Sequence, residues 1–430
     1  MHVVPAAPPT FRLVEARLLV WVAALTIVGF LAVALALKQP IGNEVVIVPA
    51  GFLLTASALH LALSLRGFRG DQILLPLALG LTGIGLVVIY RVTFGTDVQG
   101  LLLQQLAWCL VASLAFLGPL VVPRDLSLLS RYKYTWMALG LALLVGTVVL
   151  GREVNGARIL FTIGPISFMP WELVKIVLVI FLAAYLDEYR EIIVAPRRGM
   201  ARLVPPLPYL VPIVAMWLAA LFVLVFQRDL GATLLFFGIF LAMLYLATGR
   251  ARYVVLGLVL LLAGSVAAYR LFAHVQQRVQ MWIDPWQDPL DRGYQILHGL
   301  FALGNGGLLG AGLGAGNPGS IPLVWSDFVF AAFGEETGFL GSLAILAVYL
   351  VLLYRGFAIA TAAPTPFLQL LAGGLTFVIG LQALVIAAGN AKLVPLTGIV
   401  LPFVAYGGSS LVTNFLSMGL LARISAEGRR

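Results

Sequence analysis

Leu18 to Leu37 reads LLVWVAALTIVGFLAVALAL, twenty residues without a charge or a proline. A helix rises about 1.5 Å per residue, so this run spans about 30 Å, the thickness of a bilayer's hydrocarbon core. Arg17 and Lys38 bracket it. Further apolar runs follow near 45–65, 72–91, 101–122, 134–151, 170–187, 205–226, 230–248, 253–273, 327–354, 366–390 and 399–424. That makes twelve expected spans, and none of the runs alternates with period two, so helices are the spanning element.

Composition agrees. Of 430 residues, 61% are hydrophobic and 10% charged, against about 45–50% and about 25% in soluble proteins. So few polar groups do not cover a water-facing surface, which excludes the soluble classes and leaves one polytopic membrane chain. Lysine and arginine fall unevenly: seventeen on one set of loops, nine on the other, and Lys175 within a span. By the positive-inside rule the richer side is cytoplasmic, which places both termini inside. The net charge of +9 then belongs mainly to a membrane-facing fringe, and a nucleic-acid partner is not expected. The single cysteine, Cys109, excludes an intramolecular disulfide. Met1 to Thr10 lacks a charged leader, so the first span is expected to be uncleaved.

The loops are unequal. The strip 188–204 is charged and expected at anionic headgroups on the cytoplasmic side. The outer segment 274–326 is the longest and holds Asp284, Asp288, Asp291, His274, His298 and many glycines, so function is expected there. Charges also fall where lipid disfavours them. Glu172 and Lys175, three apart after Pro170, share a helix face, either snorkelling at the interface or lining a polar interior. Arg228 and Asp229 sit in a short turn, with a structural role as plausible as a substrate one. Glu335 and Glu336 cannot both face lipid, so at least one turns inward or pairs with a base. Arg158 is an outer cation suited to an anionic group, next to a polar re-entrant-looking stretch, 162–169. Gly310-Ala311-Gly312-Leu313-Gly314 imitates a dinucleotide loop but lacks the flanking strand and acid; close backbone packing or a lid accounts for it better. The four histidines show no metal-ligand spacing, so a metal would have to be held by carboxylates alone.

Five blocks, in order, resemble the SEDS family (shape, elongation, division and sporulation proteins). Asn155-Gly156-Ala157-Arg158 with Pro170-Trp171-Glu172-Leu173-Val174-Lys175 is the first, and Gln227 to Thr233 the second. Trp286-Gln287-Asp288-Pro289 with Gly293-Tyr294-Gln295 is the third, and Ser326-Asp327-Phe328 with Glu335-Glu336-Thr337-Gly338 the fourth. Leu401 to Ser410, LPFVAYGGSS, is the fifth. The family's usual core has ten spans, so the resemblance implies a two-helix N-terminal extension over 1–70 and a glycosyltransferase membrane domain over 71–430. The expected fold is all-α with about twelve transmembrane helices and a large extracellular loop, 274–326. Departures are Leu323 where the family carries an acid, Trp171 for a serine, Arg228 for a proline, and Thr397 where division-type members often carry lysine. They favour the elongation-type (RodA-like) branch over the division-type (FtsW-like) one.

The resemblance implies that the chain polymerises lipid II, a disaccharide-pentapeptide on undecaprenyl pyrophosphate, into β-1,4-linked glycan at the outer face of the bacterial cytoplasmic membrane. An α-linked donor giving a β product fits one inverting displacement, which needs one general base. Position alone does not choose among the three loop acids; the resemblance puts the base on Asp288, with Asp284 in place of the family's asparagine. Leaving-group charge would be met by Arg158, Lys175 or Arg278, the last also readable as an interfacial anchor. Glu172 would hold Lys175, and Asp327 and Glu335 would shape the floor of the site. The pyrophosphate leaving group needs cations or a metal, so a divalent cation, Mg²⁺ or Mn²⁺, is compatible with the site, and no cofactor is assigned beyond that. Expected partners are lipid II, membrane lipids and a class B penicillin-binding protein that cross-links the product. A flippase for the lipid-linked precursor and a pure scaffold are the rival readings; the acid-rich outer loop favours the enzyme.

Overall fold

The computed structural model describes residues 12–38, 42–121, 125–154, 157–164, 166–194 and 229–428, with scattered positions between 211 and 227. Asn155, Gly156, Pro165, Arg228, residues 195–204 of the charged strip and much of the run 205–226 lie outside the described residues. Among the described residues, nine helices are long and apolar enough to cross a membrane. They are Leu13–Ala36, Asn43–Leu65, Leu74–Thr93, Leu101–Val121, Lys133–Leu150, Leu230–Thr248, Ala251–Leu271, Val329–Ala362 and Pro366–Asn390. Two further apolar runs form the helices Pro170–Val194 and Gly408–Glu427. The first carries more charge than the others, and the second begins nine residues later than its apolar run, at Gly408 rather than 399. Pro402 and a left-handed Phe403 (φ 67°) keep that stretch out of helix.

One element departs from an all-helical expectation. Strands β1 (Arg152–Val154), β2 (Ala157–Ile163) and β3 (Ile166–Phe168) form a small antiparallel sheet. The polar stretch after 162 is therefore the return of a hairpin and not a re-entrant helix: Ile163 pairs with Ile166, Thr162 with Ser167 and Phe161 with Phe168. The β-branched and aromatic content of these residues favours strands, and Gly164 (φ 60°) opens the two-residue connection. Pro170 then starts the next helix at its first position, where no N–H is needed.

The chain divides into two compact units. The first comprises 1–122, 297–359 and 400–430. Here the two N-terminal helices pack among the core helices instead of standing apart. Leu13–Ala36 lies close against Leu74–Thr93 through small residues; a Cβ on Gly29 would come within 2.9 Å of Val87. A hub of buried charge holds the entry of these helices. Arg12 (2% exposed) bonds Glu15 (0% exposed) at 2.6 Å and donates to the carbonyls of Phe68, Gly70 and Asp71. Glu15 also meets His60 at 2.7 Å. Asp71 in turn accepts from the Ile73 and Leu74 N–H groups at the start of their helix, pairs with Arg355, and donates its own N–H to the Ser425 hydroxyl oxygen. At the last helix, a Cβ on Gly408 would overlap the Trp108 ring, and Gly419 abuts the Phe116 carbonyl.

The second unit comprises 123–296 and 360–399. Its centre is Pro170–Val194, buried on nearly every side from Pro170 to Leu186 and packed by Lys133–Leu150, Leu230–Thr248 and Pro366–Asn390. Helix Ala273–Ile283 and the short 3₁₀ turn Pro285–Gln287 belong to this unit, while most of helix Tyr294–Gly306 and the 3₁₀ turn Pro318–Ser320 belong to the first; the 274–326 segment thus has structure of its own.

Removing one member of a buried pair costs about 3–5 kcal/mol because the other charge is stranded. Arg12→Ala should therefore lower the melting temperature of the detergent-purified protein sharply. The double variant Arg12→Ala/Glu15→Leu should recover most of that loss, as read by intrinsic fluorescence on heating.

Candidate functional site

The 284–296 segment of the second unit is built on the preceding helix, and that helix is clamped. Trp282 Nε1 donates to the Lys392 carbonyl at 3.0 Å, Lys392 Nζ to the Ile283 carbonyl at 3.3 Å, and Arg278 to the Leu396 carbonyl at 3.2 Å. The receiving backbone is rigid because Pro366–Asn390 ends in a Schellman motif. Leu393 N–H bonds the Ala388 carbonyl and Lys392 N–H the Gly389 carbonyl, with Lys392 left-handed at φ 57°.

On this base the three candidate acids differ. Asp284 caps the turn Pro285–Gln287, its Oδ1 accepting the Trp286 N–H at 3.1 Å. Asp291 is exposed. Asp288 is half-buried, and its carboxylate accepts no hydrogen bond and forms no ion pair among the described residues. Its backbone is pinned instead: the Asp288 carbonyl accepts the Gly293 N–H at 2.8 Å. Gly293 is required there, since a Cβ would run into the carbonyls of Pro285 and Asp288. The turn thus holds Asp288 half-buried and uncommitted at a fixed place, while the Asp291 carboxylate, also without a hydrogen bond or ion pair among the described residues, is exposed.

Glu172 and Lys175 are fully buried, which excludes snorkelling. Lys175 Nζ donates to Glu172 Oε2 at 2.5 Å and to Gln382 Oε1 at 2.8 Å, on the facing helix. The Trp171 ring lies 5.9 Å from the ammonium. Gln382 was not singled out in the sequence; only its place as a polar residue within an apolar run marks it. Asp229, half-buried, caps Leu230–Thr248 through the Ala232 N–H at 2.9 Å. Burial pushes its pKa up to about 6, against the pull of the Ala232 N–H and Arg278 and with a push from Glu172. Arg158 lies in β2, its backbone paired with Glu153; its side chain is outside the described residues.

Asp327 and Glu335 belong to the first unit. Asp327 is half-buried just before Val329–Ala362, after Leu323, which is left-handed at φ 51°. Glu335 (3% exposed) accepts the Asn317 N–H on Oε1 at 3.1 Å, and its Oε2 is buried with no hydrogen bond among the described residues. Glu336 pairs with Arg91 at 2.6 Å. Both acids therefore turn inward, and only Glu336 meets a base. The glycine run packs onto them: Ala311 and Gly312 N–H groups bond the Glu335 and Glu336 carbonyls at 2.9 and 3.1 Å. Gly310 (φ 88°) passes so close to Glu336 that no Cβ fits, so this run is close backbone packing. No cluster of three or more His, Cys, Asp or Glu side chains forms among the described residues.

The raised pKa of Asp229 has a stability consequence. The folded state holds the proton more tightly than an unfolded aspartate near 3.9, so stability should fall as pH rises from about 4 to about 6. Asp229→Asn keeps a cap without the charge. Its stability relative to wild type should rise across that window by about 2 kcal/mol and then level off, measured by thermal melts at stepped pH.

Comparison with known proteins places these features in a family. The family described as "Cell cycle protein" (FTSW_RODA_SPOVE) matches residues 72–430. The "Peptidoglycan glycosyltransferase RodA" of Mycobacterium tuberculosis (strain ATCC 25618 / H37Rv) is 38% identical over 431 residues, covering 98% of this chain and 92% of that protein. Among solved structures, a chain from "Structural coordination of polymerization and crosslinking by a peptidoglycan synthase complex" aligns with TM-score 0.69 at 27% identity, over 84% of this chain and 99% of that one. The Thermus thermophilus rod shape determining protein RodA aligns with TM-score 0.59 at 27% identity, over 84% and 98%. A match over most of the chain, with near full-length relatives, means that this chain belongs to the SEDS family, the group of FtsW, RodA and SpoVE.

Proposed function

We propose that Asp288 is the general base of a lipid II polymerase. The chain is a multi-pass membrane peptidoglycan glycosyltransferase that polymerises cell-wall glycan. In the reaction, the acceptor sugar hydroxyl attacks the anomeric carbon of the donor, the bond to pyrophosphate breaks, and the configuration inverts. Asp288 takes the hydroxyl proton. The observation that carries this is the uncommitted carboxylate: Asp284 is spent on capping a turn and Asp291 is exposed, while Asp288 is half-buried with both oxygens available. An acid that already accepts strong hydrogen bonds is a poorer base, because those bonds favour its ionised form.

Arg158 and Lys175 supply positive charge toward the pyrophosphate, with a divalent cation, Mg²⁺ or Mn²⁺, as a further source. Lys175 acts from behind the surface, as a positioning charge held by Glu172 and Gln382, since it has no exposed area. Asp284 fixes the turn that carries Asp288. Twelve spans, with 1–70 as a two-helix extension and both termini cytoplasmic, would put the 274–326 segment on the outer face. The apolar runs and the start of the family match at residue 72 support that count. A class B penicillin-binding protein as partner is supported by the similarity to a chain of a peptidoglycan synthase complex.

General bases contribute about 10²–10⁴-fold. Asp288→Asn should therefore reduce glycan formation from purified lipid II by about that factor, with membrane insertion unchanged; full activity in the variant would remove Asp288 from the mechanism. Wild type that moves lipid II across vesicles but forms no glycan, with a transpeptidase partner present, would support the flippase. A second prediction concerns the buried pair. Lys175→Ala strands Glu172 and should cost about 3–5 kcal/mol, visible as lost monodisperse yield. The double variant Glu172→Gln/Lys175→Met should fold, and its loss of kcat with little change in KM is the signature of a positioning charge.

A further inference from the structure

Between Leu13–Ala36, Leu74–Thr93 and Val329–Ala362 lies a cavity of about 370 Å³, wholly inside the first unit. Leu25, Gly29, Val87, Val88, Ile345 and Val348 form its apolar wall, and Arg91 and Glu336 its polar end. Leu25 is 53% exposed and Ala344 is exposed beside the opening, so the mouth faces sideways, toward the surface that an apolar span presents to lipid. The size suits a small-molecule site, which is typically about 300–1,000 Å³. Along Leu74–Thr93 the wall runs from Gly83 to Val92, about 14 Å at 1.5 Å per residue. That is close to one leaflet's share of a hydrocarbon core about 30 Å thick.

Water is a poor occupant, because an ordered water needs two to four polar partners and the polar groups gather at one end. An empty void forfeits the dispersion contacts of its whole lining. Among lipids there is no hydrophobic drive to close it, since a tail is as apolar as the wall. A hydrocarbon chain entering from the side restores those contacts. The polar end can receive the other part of the same molecule. Arg91 spends Nε on Glu336 at 2.6 Å and Nη2 on the Gly316 carbonyl at 2.7 Å. A guanidinium carries five N–H donors, so others remain for ester or phosphate oxygens.

We propose that this cavity binds one hydrocarbon chain of a membrane lipid, with the headgroup oxygens beside Arg91. The chain can come from a diacyl phospholipid or from a polyprenyl phosphate, and both offer the same chemistry to the wall. The first helix supplies part of that wall, through Leu25 and Gly29, which assigns that helix a ligand-binding role. The inference stands independently of Asp288.

The full-length protein in phosphatidylglycerol–phosphatidylethanolamine nanodiscs, with either a tail-diazirine phosphatidylglycerol or a diazirine polyprenyl phosphate, tests it. After irradiation, adducts are expected on Val87, Val88, Ile345 or Val348. Ala344→Trp, whose indole fills the mouth, should lose them, as should the gentler Val348→Phe at its neighbouring positions. Leu343→Trp, one residue along, 51% exposed and off the cavity, should keep them. Labelling by the phospholipid probe assigns the site to bulk lipid, and labelling by the prenyl probe alone assigns it to the carrier class. No adduct at these positions with either probe, or undiminished labelling in both filling variants, overturns the proposal.

Discussion

A charge buried in an apolar medium persists only if its partner is buried with it, and three such pairs set the arrangement of the elements around them. Stranding an ion costs several kcal/mol, more than any single helix-propensity or capping effect in the chain. Arg12–Glu15 therefore does more than close an i, i+3 pair: its guanidinium also gathers the carbonyls of Phe68, Gly70 and Asp71, so the N-terminal helices enter at one fixed place. Arg91–Glu336 ties Leu74–Thr93 to Val329–Ala362 and, through the Gly316 carbonyl, to the glycine run. Glu172–Lys175 fixes Pro170–Val194 against Pro366–Asn390 through Gln382. In each case a bond between side chains of two residue types settles how long apolar surfaces, which would slide over one another at little cost, come to rest.

The same logic separates structural acids from available ones. Glu15, Asp71, Glu172 and Glu336 have cationic partners, Asp229 and Asp284 cap turns or helices, and Asp288 has neither. Its carrier turn is rigid for reasons remote from its own side chain: a Schellman end at Lys392, a tryptophan N–H on that backbone, and a glycine where two carbonyls crowd in. A proton acceptor gains from such a frame because the position of the carboxylate is decided before a substrate arrives.

Helix positions were largely legible, since an apolar run of about twenty residues has few other solutions in a bilayer. The run 230–248 coincides with its helix, and 134–151 differs by one residue at each end. Legibility failed where local backbone chemistry competed with hydropathy. The 399–407 stretch is apolar but holds Pro402 and a left-handed Phe403, and the 152–168 stretch pairs β-branched and aromatic residues into a sheet too short to show a period. The glycine run left two readings open because spacing does not distinguish a lid from a packed turn; the carbonyls of Glu335 and Glu336 decide for packing.

By itself the amino-acid sequence determined that the chain lives in a membrane, where most of its long apolar helices lie, which charges are anomalous, and the family to which its motifs belong. These are local or additive properties: length of an apolar run, charge per loop, residues in a fixed order. Only the tertiary structure decided which partner each anomalous charge takes, that Gln382 and Asp229 join the Glu172–Lys175 helix in one unit, and which uncommitted loop acid is half-buried. It also decided that the first helix walls a cavity. Partners such as Arg91 and Glu336 are 245 residues apart, and nothing in the neighbourhood of either specifies the other until packing brings them together.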